Sequence, residues 1–261
     1  MSINSKNCSA NQKSWYYRLQ LSSQSILIAL SCANDNWATT DEQVVIDNFR
    51  NALKHGTQAY RDALLFHFLS GVTQSEELRS IEIWAAMPSS KGKPSEILSE
   101  FKEHCRYLTG RRLKDDLLIR NTATKSSHST NGIYRRTSLD ASKHLNTMNI
   151  NPRYRKNLRG KVVCVIDDYV TNGTTTEAVR ALLESAGVKA VIFVSIGRFM
   201  KGGAGFYKRE EYQVNGDIYK PGFHFQQMSI DPTYGKKAQI NDSARSEVAT
   251  IRKILEGDID G

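Results

Sequence analysis

Residues 161–198 read KVVCVIDDYVTNGTTTEAVRALLESAGVKAVIFVSIGR, and the rest of the chain is arranged around them. Val162 to Asp167 holds five apolar residues, three of them valine, the pattern of a strand buried on both faces, as in a parallel sheet. Asp167 and Asp168 stand where this strand ends. The loop Thr171-Asn172-Gly173-Thr174-Thr175 follows, and then an amphipathic helix over residues 176–186 with Ala178, Leu182 and Leu183 on one face and Gly187 as its stop. Val191 to Ile196 forms a second buried strand. The connection between the two strands has the length of a right-handed crossover.

The loop carries a chemical argument of its own. A Gly among hydroxyl residues at a helix N-terminus offers free backbone N–H groups and the positive end of the helix dipole, a cradle for phosphate. Gly173 lets the backbone come close, and Thr171, Thr174 and Thr175 add hydroxyl donors. The loop has no Lys and does not fit GxxxxGK[ST]. Two carboxylates beside a phosphate must face something else, either ribose hydroxyls or a Mg²⁺ carried by the ligand. Phosphate on the loop and a diol on the acids describe a ribose 5-phosphate.

VCVIDDYVTNGTT resembles the signature of the type I phosphoribosyltransferases: a hydrophobic strand, two acids, two apolar residues, then Thr-Thr-Gly-x-Thr or a close variant. The strand, both acids, Thr171, Gly173 and Thr175 match. Tyr169 stands where the family has a small aliphatic residue and adds bulk near the ribose. Asn172 stands where a small or hydroxyl residue is usual, a change expected to remove no phosphate donor. The resemblance covers roughly residues 80–200, with 161–176 its specific part. It implies an α/β chain with a Rossmann-like parallel sheet flanked by helices, a largely helical N-terminal extension over 1–79, a core over 80–200, and a β-rich C-terminal cap with a terminal helix over 201–261.

It also implies roles for residues outside the motif. Ile81 to Pro88 reads as a strand ending in Ser89-Ser90-Lys91-Gly92-Lys93, an anion site at the carboxyl edge of a sheet. In the family this turn holds the pyrophosphate, often through a strained non-proline cis peptide, for which Ser89-Ser90 is the candidate. Asn121 to Asp140 is polar, hydroxyl-rich and basic, and corresponds to the mobile loop that closes over the substrate. Arg120, Thr122, His128, Arg135 and Arg136 follow the rhythm of its ComF-like branch, associated with DNA uptake. Closure would bring Arg135 to the pyrophosphate. Asp167 and Asp168 would act as catalytic and Mg²⁺-binding residues. Thr171 to Thr175, Ser89, Ser90, Lys91, Lys93 and Arg120 would bind substrate. Thr171 replaces the Asp of purine-salvage members, which argues against an ordinary hypoxanthine–guanine enzyme.

The net charge of +9 is concentrated: residues 91–161 hold 17 Lys/Arg against 6 Asp/Glu. That segment suits a polyphosphate ligand or a nucleic acid or nucleoprotein partner, with Tyr154 among Arg153, Arg155 and Lys156 placed to stack a base. A solvated basic face is the alternative. The four cysteines show no CxxC pairing, which suits reduced thiols, and the N-terminus has no signal-peptide core, so a cytoplasmic location without membrane attachment is expected.

Elsewhere, Trp15 to Cys32 allows strand, turn and buried segment. Residues 42–69 read as one long helix or two stacked ones broken near Lys54-His55-Gly56. Ser95 caps a helix to Leu108, with Ile97, Leu98, Phe101, Cys105 and Leu108 as its apolar face. Asn215-Gly216 marks a hairpin. Two functions follow. The first is a Mg²⁺-dependent phosphoribosyltransferase moving ribose 5-phosphate from phosphoribosyl pyrophosphate to a nitrogen nucleophile. The second is a non-catalytic sensor of that ligand or of a nucleotide, or a nucleic-acid-associated subunit of a competence or anti-phage (retron-type) defence complex. Either is compatible with a homo-oligomer.

Overall fold

The computed structural model of the chain describes residues 15–33, 40–55, 58–90, 92, 94–111, 113–122, 140–199 and 206–256. Strands β1 (Tyr17–Gln20) and β2 (Ser25–Cys32) form a hairpin about the Ser22-Ser23 turn. Helices α1 (Thr40–His55), α2 (Gln58–Gln74) and α3 (Glu76–Arg79) follow, then β3 (Ile83–Ala86) and α4 (Glu96–Leu108). Next come β4 (Leu118–Arg120), α5 (Ser142–Leu145), β5 (Met148–Ile150), β6 (Val162–Val170), α6 (Thr174–Ser185) and β7 (Ala190–Arg198). The chain closes with β8 (Arg209–Asn215), β9 (His224–Asp231), β10 (Gln239–Ile240) and α7 (Ser243–Glu256).

The main sheet has six strands in the order β10-β1-β2-β7-β6-β3. β2, β7, β6 and β3 run parallel, and β1 and β10 complete one edge antiparallel. All eight residues of β2 are buried. Such near-continuous apolar strands arise because helices cover both faces. Leu27, Val163, Val165 and Phe193 face one core with Val179, Leu182 and Leu183 of α6. Ile28, Cys164, Ile166 and Val194 face the other with Phe49 of α1, Phe68 of α2 and Phe101 of α4. No helix among the described residues is long and apolar enough to cross a membrane.

The boundaries drawn at residues 80 and 200 are crossed by this sheet. β2 belongs to the region read as an extension, yet it is a central strand paired with β7. β10 pairs with β1. Among the described residues, β4–β5 and β8–β9 stand apart as two-stranded sheets, the latter packed on α6. The strands β8 and β9 are joined by residues 216–223 rather than by a two-residue turn at Asn215-Gly216. Ser95 caps α4 as expected, accepting from Leu98 N at 3.2 Å. Leu108, counted on the apolar face, is 49 % exposed at the last residue of α4.

Side-chain alternation changes phase near the carboxyl ends of three strands. Val163 and Val165 share a core with Val170, and Leu27 and Ala29 share it with Cys32. Partners run Asp167↔Ser195↔Ala29, then Tyr169↔Gly197↔Ser31, with the rung between them missing in both ladders. The slip falls at the level of Asp168. It turns the Tyr169 ring toward α1, away from the α6 side.

Candidate functional site at the carboxyl edge of the sheet

Two adjacent parallel strands deliver the predicted residues to one edge. β6 ends in Asp167, Asp168 and the loop that opens α6. β3 lies beside it in register, Ala86 opposite Ile166, and Met87 N donates to Ile166 O at 2.8 Å. Pro88-Ser89-Ser90 therefore leaves the sheet next to Asp167. The turn closes through Gly92 N donating to Ser89 O at 3.1 Å. Gly92 sits at φ +116°, and a Cβ there would lie 3.8 Å from the Arg120 carbonyl oxygen. The turn, Arg120 at the end of β4 and the acid pair thus share one edge.

One expectation fails here. No peptide bond among the described residues is cis, so Ser89-Ser90 is trans. A non-proline cis bond costs about 2.5–4 kcal/mol, and this turn closes without it. Lys91, Lys93, His128, Arg135 and Arg136 lie outside the described residues.

The acid pair is held by its own backbone. Asp168 N donates to Asp167 Oδ1 at 2.9 Å, and Tyr169 N donates to Asp168 Oδ1 at 2.6 Å. Asp168 is exposed and Asp167 half-buried. Burial, and then the neighbouring Asp168 charge, raise the Asp167 carboxyl well above the ordinary carboxylate range. Across the strand, the Ser195 hydroxyl is buried without a hydrogen-bond partner among the described residues.

Gly173 is the N-cap of α6 at φ +82°, the left-handed region that glycine occupies without strain. The space a Cβ would fill is taken by Tyr207, whose ring carbons would lie 2.2–2.6 Å from it. The missing side chain therefore admits a ring of the chain itself, a use the sequence reading did not foresee. Tyr207 is buried and donates its hydroxyl to Glu177 Oε1 at 2.6 Å. Lys208 N donates to Asn172 O at 2.9 Å. Asn172 Oδ1 in turn lies 3.3 Å from Thr174 Oγ1 and 3.5 Å from Thr174 N. The expectation that Asn172 leaves every donor open is corrected by these contacts.

Beneath the loop, buried Arg198 donates from Nη1 to Val170 O at 3.0 Å, to Phe199 O at 2.7 Å and to Thr171 O. Beside it, Thr175 Oγ1 is 3.3 Å from His144 Nε2, and His144 Nδ1 is 3.4 Å from Arg120 Nη2. Arg120 Nη1 donates to Thr147 Oγ1 at 2.7 Å, while its Nε is buried without a partner among the described residues. Burial lowers the Arg120 pKa. Burial, then Arg120, push His144 down to about 4, so its ring is neutral at pH 7. His144, Arg198 and Tyr207 were not identified from the sequence. The one local signal was an Arg closing the apolar run of β7. The other two meet the motif from about 30 positions away.

Tyr169, expected to crowd the ribose, packs instead on Gly197, where a Cβ would be 2.7 Å from the ring. Its ring centroid is 5.6 Å from that of Phe199, and Arg50 lies 5.9 Å and 5.7 Å from the two rings.

Five of the described basic residues in the segment pair with acids of the chain. Lys102 pairs with Asp116, Arg106 with Glu103, Arg153 with Asp115, Arg155 with Asp217 and Lys161 with Glu82. Tyr154 is 1 % exposed and donates to Asp115 O at 2.7 Å, so it is a core residue and stacks nothing from solvent. Among the described residues no group of three or more His, Cys, Asp or Glu is arranged to hold a metal. An open cleft of ≈ 520 Å³ lined by Arg155, Arg159, Ser185 and Asp217 lies at the far end of α6, with none of the motif residues in its wall. Compared with known proteins, the chain matches no family model and no curated protein.

Proposed function

We propose that this chain is a phosphoribosyltransferase-like protein of the type I fold. It binds phosphoribosyl pyrophosphate with Mg²⁺ and transfers ribose 5-phosphate to a nitrogen nucleophile. The observation that carries this reading is the shared edge: acid pair and hydroxyl loop on β6, the Ser89-Ser90 turn on neighbouring β3, and the Arg120 carbonyl beside that turn. In this reading the loop 171–175 takes the 5-phosphate, and Asp167 and Asp168 take the ribose hydroxyls. Ser89, Ser90 and Arg120 take the pyrophosphate, joined by Lys91, Lys93 and Arg135 through the resemblance. The bond from C1 to the pyrophosphate oxygen breaks with its electron pair on the leaving group. A C1–N bond forms, and the nucleophile's proton passes to solvent. Asp167 and Asp168 lie next to the cationic sugar and stabilise it electrostatically.

Two adjacent carboxylates with hard oxygen donors fit Mg²⁺, which keeps its waters and substrate phosphates and needs no cage of three protein ligands. When bound, Mg²⁺ supplies neutralisation of the charge on the departing pyrophosphate. A second reading, a non-catalytic sensor of the same ligand, is favoured by Tyr207 and Asn172 closing on the loop. A nucleic-acid partner for the basic segment would have to be met without base stacking on Tyr154, which is buried.

Calorimetric titration with phosphoribosyl pyrophosphate and Mg²⁺ tests the site. The wild type should bind, and an Asp167→Asn, Asp168→Asn double variant should lose at least tenfold in affinity, about 1.4 kcal/mol. Pyrophosphate release in a screen of bases separates enzyme from sensor. No binding by the wild type overturns both.

A further inference from the structure

The geometry points to His144 as a positioning residue for the phosphate loop: its ring orients the Thr175 hydroxyl so that the hydroxyl proton is kept for the ligand. The assignment rests on the phosphate-binding reading of residues 171–175 proposed above and deepens it.

Arg120 supplies an observation independent of the loop. It is 8 % exposed, and among the described residues no carboxylate pairs with it. Its Nη1 donates to Thr147 Oγ1 at 2.7 Å, its Nη2 lies 3.4 Å from His144 Nδ1, and its Nε is buried without a partner among the described residues. A buried guanidinium without a counter-charge is costly, and an anion in the site relieves that cost. His144 stands between this cation and the loop, with Nε2 3.3 Å from Thr175 Oγ1. Thr147 Oγ1 donates back to His144 O at 3.1 Å, which closes the cluster and holds the imidazole in place.

The directions of these bonds follow from what each group can do. A guanidinium has no acceptor, so Arg120 Nη2 donates and His144 Nδ1 accepts. The neutral ring carries one proton, which therefore sits on Nε2. Nε2 then donates to Thr175 Oγ1. A hydroxyl that accepts from this N–H cannot return its own proton to the same nitrogen. The Thr175 hydroxyl has no other partner among the described residues, so its proton is available to an oxygen bound on the loop. A phosphate oxygen is such an acceptor, and the bond it receives is charge-assisted and polarised along Arg120, His144 and Thr175. The opposite tautomer would set N–H against N–H at Arg120 and draw the hydroxyl proton toward Nε2, away from the ligand.

The tautomer is read in the wild type from the nitrogen chemical shifts of the His144 ring, with no substitution needed. Nε2 should carry the proton, and a proton on Nδ1 overturns the assignment. Affinity is read by titrating ribose 5-phosphate into the wild type, His144→Leu, His144→Gln, Thr175→Val and the His144→Leu, Thr175→Val double variant. Unphosphorylated ribose is the control, and each protein is melted thermally. Thr175→Val should weaken ribose 5-phosphate about tenfold, the worth of a hydrogen bond to a charged group. His144→Leu should weaken it about fivefold, the worth of a neutral one. The double variant should be no weaker than Thr175→Val, because His144 acts through that hydroxyl. His144→Gln, whose amide can donate to Thr175 Oγ1, should stay within about twofold of the wild type. His144→Leu binding as the wild type does, His144→Gln as weak as His144→Leu, or losses that multiply in the double variant each overturn the His144 role and leave the phosphate site standing. Absence of ribose 5-phosphate binding by the wild type overturns the phosphate site and the His144 role together.

Discussion

His144 connects the base of the segment after β4 to the loop after β6, and its buried neutral ring makes stability depend on pH. Its pKa of about 4 lies below the unfolded value of 6.5. Between these values the unfolded chain binds the proton and the folded chain does not, so stability rises with pH. The contribution is complete above pH 6.5 and is lost as pH falls toward 4. Arg120 and Lys143 oppose protonation and Asp140 favours it. The loss should reach up to about 3 kcal/mol. Urea midpoints measured at several pH values should show this slope in the wild type and a flatter one in His144→Gln. Asp167 works in the reverse sense: its raised pKa destabilises the fold as pH rises above the ordinary carboxylate value. The acid pair was legible from the sequence because the two Asp are neighbours at the end of an apolar run. His144 was not, because it sits in a four-residue helix with no periodic pattern and meets Thr175 through folding alone.

At the scale of elements, the contact between α6 and the β8–β9 hairpin turns on one carboxylate. Glu177, 0 % exposed, accepts from Arg180 Nε and Nη2, Arg209 Nη1, Tyr207 Oη and Glu210 N. A buried ion pair of this kind adds little over an apolar isostere, but removing one partner leaves the others uncompensated. Glu177→Ala should cost about 3–5 kcal/mol, read as a drop in the urea midpoint. Hydrogen exchange in β8 and β9 should accelerate first, since these strands belong to no other sheet. The helix itself was readable from Ala178, Leu182 and Leu183, all buried as expected. It begins at Thr174, two residues earlier than its apolar periodicity, because the hydroxyl residues of the loop enter the first turn.

For the whole molecule, the sheet takes strands from both ends of the chain, so the segment matched to the family motif is not a unit. β2 pairs with β7 over seven bridge partners from Ser25 to Cys32, and α1 and α2 cover one face of the sheet. A fragment of residues 80–200 would expose the β7 edge and the part of one core that α1 and α2 cover. It should show no cooperative unfolding transition by circular dichroism, whereas the full chain should. A folded, cooperatively melting fragment would contradict this dependence.

The sequence by itself determined the strand–loop–helix–strand unit, the α/β class and the grouping of acids and hydroxyls at a strand end. Each of these follows from apolar periodicity and neighbouring residues. Only the tertiary structure decided that Tyr207 fills the space beside Gly173, that Asn172 reaches Thr174, that Tyr169 turns to α1, and that Lys102, Arg106, Arg153, Arg155 and Lys161 pair with acids at home. Those outcomes depend on strand order, on a shared slip in side-chain alternation and on contacts between residues far apart in the chain. No local pattern encodes them, because the same tyrosine or arginine is surface, core or ligand contact according to what folding brings beside it.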